Sequence, residues 1–202
     1  LVGQISTSIQ NANLYEQTQR ALAETEILYQ ASAGLNSASS FDEILDILRK
    51  STILGHDNAS SVTLTLFDRA WSKDEMPEYY SIIARWSTIA QMSETKNRYP
   101  LSAWTTSTSL LRSDTVVAID QALTDPRLDE AARAIYLERM DAKSLVLAPL
   151  VAGGQWIGHV DGVYHRGVRI EGQDLRPLRA LAAQAAVAIQ NLRLLEETRR
   201  RA

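Results

Sequence analysis

Along this chain the spacing of apolar residues switches between helical and alternating periods, and the switches mark out the elements. Ile5, Ile9, Ala12, Leu14, Ala21, Leu22, Ile27 and Leu28 recur from Gln4 to about Ala33 without Pro or Gly, which predicts one long helix. Leu14, Ala21, Leu28 and Leu35 fall seven apart, the spacing of a helical rod that pairs with another. Gly34 followed by Asn36 to Ser39 supplies a stop and a turn. Ser40 and Glu43 are spaced as a capping box for a second helix that turns Ile44, Leu45, Ile47 and Leu48 inward. The period then changes. Val62, Leu64 and Leu66 alternate with Thr63 and Thr65, so Ser61 to Phe67 is predicted as a half-buried strand, and Tyr79 to Trp86 as a second.

Ser87 to Ser113 carries the weakest pattern, with an extended or turning piece at Tyr99-Pro100-Leu101 and a short helix within Trp104 to Leu111. Val116 to Asp120 reads as a short strand. Asp125-Pro126 is expected to open a helix running to Met140, with Leu128, Ala132 and Ile135 inward. Ser144 to Val151 and Gln155 to Tyr164 flank Gly153-Gly154, a pair suited to a tight hairpin turn. Gly158 and Gly162 in the second of these strands suggest bulges or close approach of another backbone, and alternation sets Ile157, His159 and Asp161 opposite Trp156 and Val160. Asp174 is placed to cap the final helix, with Pro177 in its first turn. In that helix Leu178, Leu181, Ala185, Ala188, Leu192 and Leu195 form a seam, and Ala182, Ala186 and Ile189 a second stripe. The sum is an α+β fold, an antiparallel sheet carrying helices.

The two ends of the chain repeat each other. LVGQISTSIQNANLYEQT at the N-terminus follows the plan of LAAQAAVAIQNLRLLEET at Leu181 to Thr198, matching Leu1 to Leu181, Gln4 to Gln184, Ile9-Gln10-Asn11 to Ile189-Gln190-Asn191, and Leu14, Glu16 and Thr18 to Leu194, Glu196 and Thr198. Such a period implies an array of like modules. Residues 1–33 are therefore expected to be a linker helix continuing from a preceding module, residues 34–202 the module itself, and residues 174–202 its C-terminal signalling helix. Leu181, Ala185, Ala188, Leu192 and Leu195 are the predicted dimer contacts of a homodimer built through the terminal helices. The alternative for the same residues is a wide, core-facing helix of a monomer.

Composition narrows the function. A 45% hydrophobic content is that of a globular domain, and no apolar run is long enough to span a bilayer, so a cytoplasmic location without direct membrane contact is expected. The formal net charge of -3 argues against a nucleic-acid partner. Cysteine is absent, which removes disulfides, thiolate metal sites, thiol nucleophiles and thioether-linked chromophores together. The three histidines, His56, His159 and His165, show no metal-binding spacing, and no metal site is predicted.

The sequence resembles a GAF domain, the small-molecule sensory module of bacterial signalling proteins and phosphodiesterases. The resemblance is carried by Phe41-Asp42-Glu43-Ile44-Leu45, by Ser144-Leu145-Val146-Leu147-Ala148-Pro149-Leu150-Val151 with Gly153-Gly154-Gln155-Trp156-Ile157-Gly158, and by the closing Leu178 to Glu196. It implies a sheet of five or six antiparallel strands with the terminal helices packed on one face and a ligand pocket on the other, roofed by the middle segment. It also implies dimerisation through the N- and C-terminal helices upstream of an output domain, commonly a histidine kinase, and makes the first eighteen residues look like the last helix of an upstream GAF domain. The Asn-Lys-Phe-Asp-Glu pattern of cyclic-nucleotide-binding members is missing, Asp129-Glu130 standing without its preceding residues. Covalent bilin attachment needs the absent Cys. Haem would need an axial ligand such as His159, whereas a strand histidine is more often a structural group.

Trp104, Ser109, Arg112, Asp120, Tyr136, Arg139 and His159 are the candidate pocket residues: the arginines to pair with a ligand phosphate or carboxylate, Trp104 or Tyr136 to stack on a ring. Asp120 and Asp161 invite an acid–base pairing that nothing in the sequence places together. The expected function is non-catalytic sensing of an unidentified small molecule within a multidomain signal-transduction protein of the two-component sensor histidine kinase type; the alternative is a degenerate domain with a filled pocket that only dimerises and relays. No nucleophile or metal constellation supports an enzyme.

Overall fold

The computed structural model describes residues 2–72, 74–89, 92, 98–104 and 110–201, with side chains at 2–8, 103 and 104 outside that description. Helix α1 (Val2–Ser37) leads into α2 (Phe41–Ser51). Gly34 does not stop α1, because Leu35 beyond it is drawn into the core at 1% exposure. Ser40 Oγ accepts from the Glu43 N–H at 3.2 Å and caps α2 as expected, while the Glu43 carboxylate reaches back to accept from the Ser39 N–H at 2.7 Å. That bond from Ser39 holds the Glu43 carboxyl below the usual carboxylate range.

Strands β1 (Ala59–Trp71), β2 (Tyr79–Ser87), β3 (Arg98–Pro100), β4 (Val117–Ile119), β5 (Ser144–Ala152) and β6 (Gln155–Tyr164) form one sheet in the order β3-β2-β1-β6-β5-β4. Every neighbouring pair is antiparallel. The β5–β6 turn is the predicted tight hairpin, with Gly153 and Gly154 at φ of 57° and 76°.

The sheet separates two cores. On one side Val62, Leu64, Val146, Leu150, Val160 and Tyr164 pack against α2, the C-terminal part of α1 and α4 (Gly172–Arg201). Leu181, Ala185 and Ala188 belong to this core, exposed by only 0%, 0% and 8% within the single chain. Over that stretch the sheet and the neighbouring helices take up the apolar face, so Leu181, Ala185 and Ala188 are core residues of the chain itself and not the expected dimer contacts. Leu192 is half-buried against the same core, and Leu195 is 54% exposed.

On the other side Phe67, Ile119, Leu145, Leu147 and Val163 pack under a cover that includes Leu101, Leu110, Leu128, Ala132 and Tyr136. The cover buries the second face of β1 too, so Thr63 and Thr65 are 4% and 2% exposed and the strand is not half-solvated as its alternation predicts. The predicted long helix from Asp125 is also corrected. The Asp125 carboxylate is occupied by Arg127, whose backbone N–H it accepts at 2.9 Å and whose guanidinium it binds at 2.6 Å. The helix begins four residues later, with Asp129 Oδ1 accepting from the Ala132 N–H. It comprises α3 (Glu130–Arg133) and a wide π turn over Ala134–Arg139.

Two smaller expectations shift for local reasons. Helix α4 starts at Gly172, with the Asp174 carboxylate accepting from the Glu171 N–H, so Pro177 lies inside the helix beyond its first turn. In β6 the register slips between Trp156 and Gly158, which leaves Ile157 as an extra residue. Ile157 therefore joins the helix-side core and Trp156 the cover-side core, the reverse of the predicted faces next to His159 and Asp161. Among the described residues no helix is long and apolar enough to cross a membrane.

Gly158 is where another backbone comes close. A Cβ there would lie 2.1 Å from the Thr65 carbonyl oxygen and 3.0 Å from Leu66 Cα. Gly158→Ala is expected to destabilise the domain by about 1–3 kcal/mol through forced separation of β1 and β6, measured by urea unfolding; an unchanged midpoint would show that the strands part without cost.

Candidate ligand-binding site

The cover-side face of the sheet carries a polar row. Antiparallel register sets Arg85 of β2 opposite Thr63 of β1, and Thr63 opposite Asp161 of β6. One step along, Ile82, Thr65 and His159 are aligned in the same way. Thr63 and Thr65, and His159 and Asp161, share a face because side chains two apart on a strand point the same way; on β2 the register shift opposite Leu64 and Thr65 brings Ile82 and Arg85, three apart, to that face. Above them the π turn lowers Ile135, Tyr136 and Arg139, followed by Met140. Between floor and cover lies a cavity of about 290 Å³, bounded also by Tyr80, Met92 and Tyr99. Tyr80 and Tyr99 stack at one edge, ring centroids 5.3 Å apart.

The chamber is apolar at Ile82, Met92, Ile135 and Met140, and polar at a few placed points, the usual make-up of a small-molecule site. Asp161 is 6% exposed and His159 1% exposed, with Nε2 3.6 Å from Asp161 Oδ1. Burial pushes the Asp161 carboxyl up to about 7, the Arg85 charge pulling the other way, and burial lowers the His159 imidazole to about 3. Tyr136 is 1% exposed, and its hydroxyl has no hydrogen-bond partner among the described residues. Burial raises it well above the ordinary phenol value, so it stays neutral and able to donate or accept. The Arg85 guanidinium is pinned over β1, Nε donating to Thr63 Oγ1 at 3.4 Å and Nη1 to the Met92 carbonyl at 3.1 Å.

Of the residues predicted from sequence, Tyr136 and Arg139 line this chamber; His159 does not line it but is buried beside Asp161, against the Phe67 ring. Arg112 and Asp120 do not reach it. Arg112 is an exposed partner of Asp114 at 3.2 Å. Asp120 ties the segment before α4 to the end of β4, its Oδ1 accepting from the Ile170 N–H and its carbonyl from Ser144 Oγ. Trp104 ends a short 3-10 turn, Leu101–Trp104; its side chain, and all of Ser109, lie outside the described residues. Sequence reading missed Thr63, Thr65, Tyr80, Arg85 and Tyr99 and undervalued Asp161. The available signal was the polar alternation itself: Thr63 and Thr65 on one strand, His159 and Asp161 on another, each backed by an apolar opposite face.

A second opening of about 280 Å³ lies where β1 and β2 meet the C-terminal part of α4. Of its charged groups Asp68, Glu196, Glu197 and Arg200 are exposed and Arg193 is half-buried, and none of its polar side chains is fully buried. The chamber beneath the π turn is the stronger candidate.

The buried acid and imidazole make a pH prediction. Between about pH 4 and 6.5 the unfolded chain carries one proton of the pair, on His159. The folded chain also carries one, on Asp161, so the pair adds no slope to stability there. Asp161→Asn leaves an imidazole that is neutral when folded and protonated when unfolded. Its stability relative to wild type should hold above about pH 6.5 and fall by up to about 1.4 kcal/mol per unit as the pH drops toward 4. Denaturant titrations across that range measure it, and parallel curves for the two proteins would refute a folded state with Asp161 protonated and His159 neutral.

Comparison with known proteins agrees with this architecture. The family described as GAF domain matches residues 38–189. Comparison with curated proteins finds no match. Among solved structures, the phycocyanobilin-bound GAF domain of a cyanobacterial phytochrome is 18% identical, with a TM-score of 0.58 over 85% of this chain and 96% of that one. The GAF domain of an Acinetobacter phosphoenolpyruvate-protein phosphotransferase is 14% identical, with a TM-score of 0.61 over 87% and 98%. A domain of a protein assigned as a two-component sensor histidine kinase from Sinorhizobium meliloti 1021 is 16% identical, with a TM-score of 0.54 over 80% and 99%. At these identities the structures speak to fold, and the family match to membership: the chain belongs to the GAF domain family.

Proposed function

We propose that this GAF domain is a non-catalytic sensory module of a multidomain signalling protein of the sensor histidine kinase type, and that a small molecule held in the chamber is its input. The observation that carries the reading is the Tyr136 hydroxyl, buried without a partner among the described residues at the wall of a cavity that also holds a buried carboxyl. A side-chain-filled domain serving only as a relay has no use for such a chamber, since an unpaired buried hydroxyl costs stability. The likeness to a domain from a protein assigned as a sensor histidine kinase supports the choice of output.

The relay runs through the terminal helices. Every residue from Ile9 to Ile27 of α1 is exposed, Leu14, Tyr15 and Leu22 by 60%, 68% and 59%. A single helix of that length is marginal in water without packing. A second copy of the chain, meeting α1 and the exposed end of α4 at Leu194 and Leu195, supplies the missing surface. The repeat of the α4 pattern in α1 supports a tandem in which a preceding module enters through α1. Coupling of chamber and helices in such devices typically amounts to 1–3 kcal/mol.

Two measurements test this reading. In thermal unfolding against nucleotides, tetrapyrroles, small acids and amino acids, a ligand at about 100 times its dissociation constant should add about 2.7 kcal/mol. Tyr136→Phe should weaken that ligand about fivefold, by loss of one hydrogen bond. No response to any class would leave the relay reading in its place. Leu194→Asp with Leu195→Asp should sediment as a monomer with unchanged far-UV dichroism; an unaltered sedimentation coefficient would put the interface elsewhere.

A further inference from the structure

We infer that the chamber takes a small zwitterion, a molecule with an amino group at one end and a carboxylate at the other across an apolar body, as in an apolar α-amino acid. The inference rests on the reading of the chamber as a ligand site and specifies its chemistry.

The charged groups around the cavity are separated by sign. Asp161 stands in the floor on β6, whereas Arg85 lies two strands away on β2, with Thr63 in register between them. Arg139 comes from the π turn above. Among the described residues neither guanidinium is ion-paired, and Arg139 is exposed at the rim. A carboxylate suits two guanidinium groups, through charge-assisted and often bidentate hydrogen bonds. An ammonium has three donors and no acceptor. Asp161 and the Tyr136 hydroxyl offer it acceptors on the β6 side of the chamber. Ile82, Met92, Ile135 and Met140 face what lies between.

Simpler ligands satisfy less of this surface. An anion without an amino group brings negative charge toward a buried carboxyl. A cation without a carboxylate enters beside two guanidinium groups that form no ion pair among the described residues. A neutral apolar molecule leaves the buried Tyr136 hydroxyl without a hydrogen-bond partner, which is unfavourable. The volume agrees: about 290 Å³ equals the space of about ten waters at about 30 Å³ each, room for an apolar amino acid.

The ionised acid supplies a second signature. Burial pushes Asp161 up to about 7, so an arriving ammonium must displace a proton, and affinity should fall as the pH drops below about 7. The groups that face Asp161 in this titration are His159 on its own strand, Arg85 and Tyr80 on β2, and Tyr136 and Arg139 from the cover; Tyr99 lies at the edge. Thr63 and Leu147, its cross-strand neighbours, do not titrate.

Calorimetric titration of the whole chain with L-phenylalanine, L-leucine and L-methionine, beside 3-phenylpropionate and 2-phenylethylamine, tests the inference. At least one amino acid should bind, and the phenyl analogues lacking either charged end should bind about tenfold more weakly than L-phenylalanine or not at all. Asp161→Asn should weaken the amino acid about tenfold without weakening 3-phenylpropionate, and Arg139→Gln should weaken the amino acid without weakening the amine. Arg139 is exposed, so its variant is expected to fold even if Asp161→Asn does not. Analogue binding as tight as that of the amino acid, or no amino acid binding at all, overturns the inference. A response to nucleotides, tetrapyrroles or other acids in the thermal screen would then keep the chamber as a ligand site, and silence across both experiments would remove it as well.

Discussion

Taking a carboxyl group and an imidazole out of water in the middle of a sheet is costly, and the surroundings of Asp161 and His159 are organised by that cost. The two lie close together on β6, His159 Nε2 3.6 Å from Asp161 Oδ1. Thr63 and Thr65 flank them on β1, and Arg85 reaches over Thr63 from β2. Apolar residues at the same positions would have let the cover settle directly on the sheet. The polar row instead keeps part of the interface open, and the chamber is the space that results.

The two faces of the sheet thus divide the work. On the helix side, Leu64, Val146, Val160, Leu181 and Ala185 are fully buried, and burial of each large side chain contributes about 1.5–3 kcal/mol. That side supplies stability with close packing, as Gly158 and Gly162 show by leaving no room for a Cβ. On the cover side the apolar contacts gather around Phe67, Ile119, Leu145 and Leu147, with Tyr136 reaching from them to the wall of the chamber. Stability drawn from one face allows the other to carry groups that do not stabilise it.

Where local chemistry decides an element, the sequence was readable. Ser40 and Glu43 announce the start of α2, Gly153-Gly154 the hairpin, and alternation the strands on either side of it. Where a distant partner decides, it was not. Nothing near Thr63 says that residues far along the chain will cover it, and nothing in the seam of α4 distinguishes packing on its own sheet from packing on another subunit. Asp125-Pro126 looked like a helix start because the pull of Arg127 on the Asp125 carboxylate belongs to a turn. Tyr136 and Arg139 could be named as site residues from their chemistry alone, whereas Asp161 required the fold to show its neighbours.

The π turn over Ala134–Arg139 gives the cover a surplus residue compared with an ordinary helix, and such insertions are often found at functional positions. The turn ends near Asp141, which adopts a left-handed backbone conformation at φ 48°. In a regular helix each residue turns the next by about 100° about the axis. Tightening this stretch by a single residue would swing Arg139 around relative to Tyr136 and take one of the two apart from the chamber. The same short segment is therefore a wall of the chamber whose shape depends on the extra residue that the π turn accommodates.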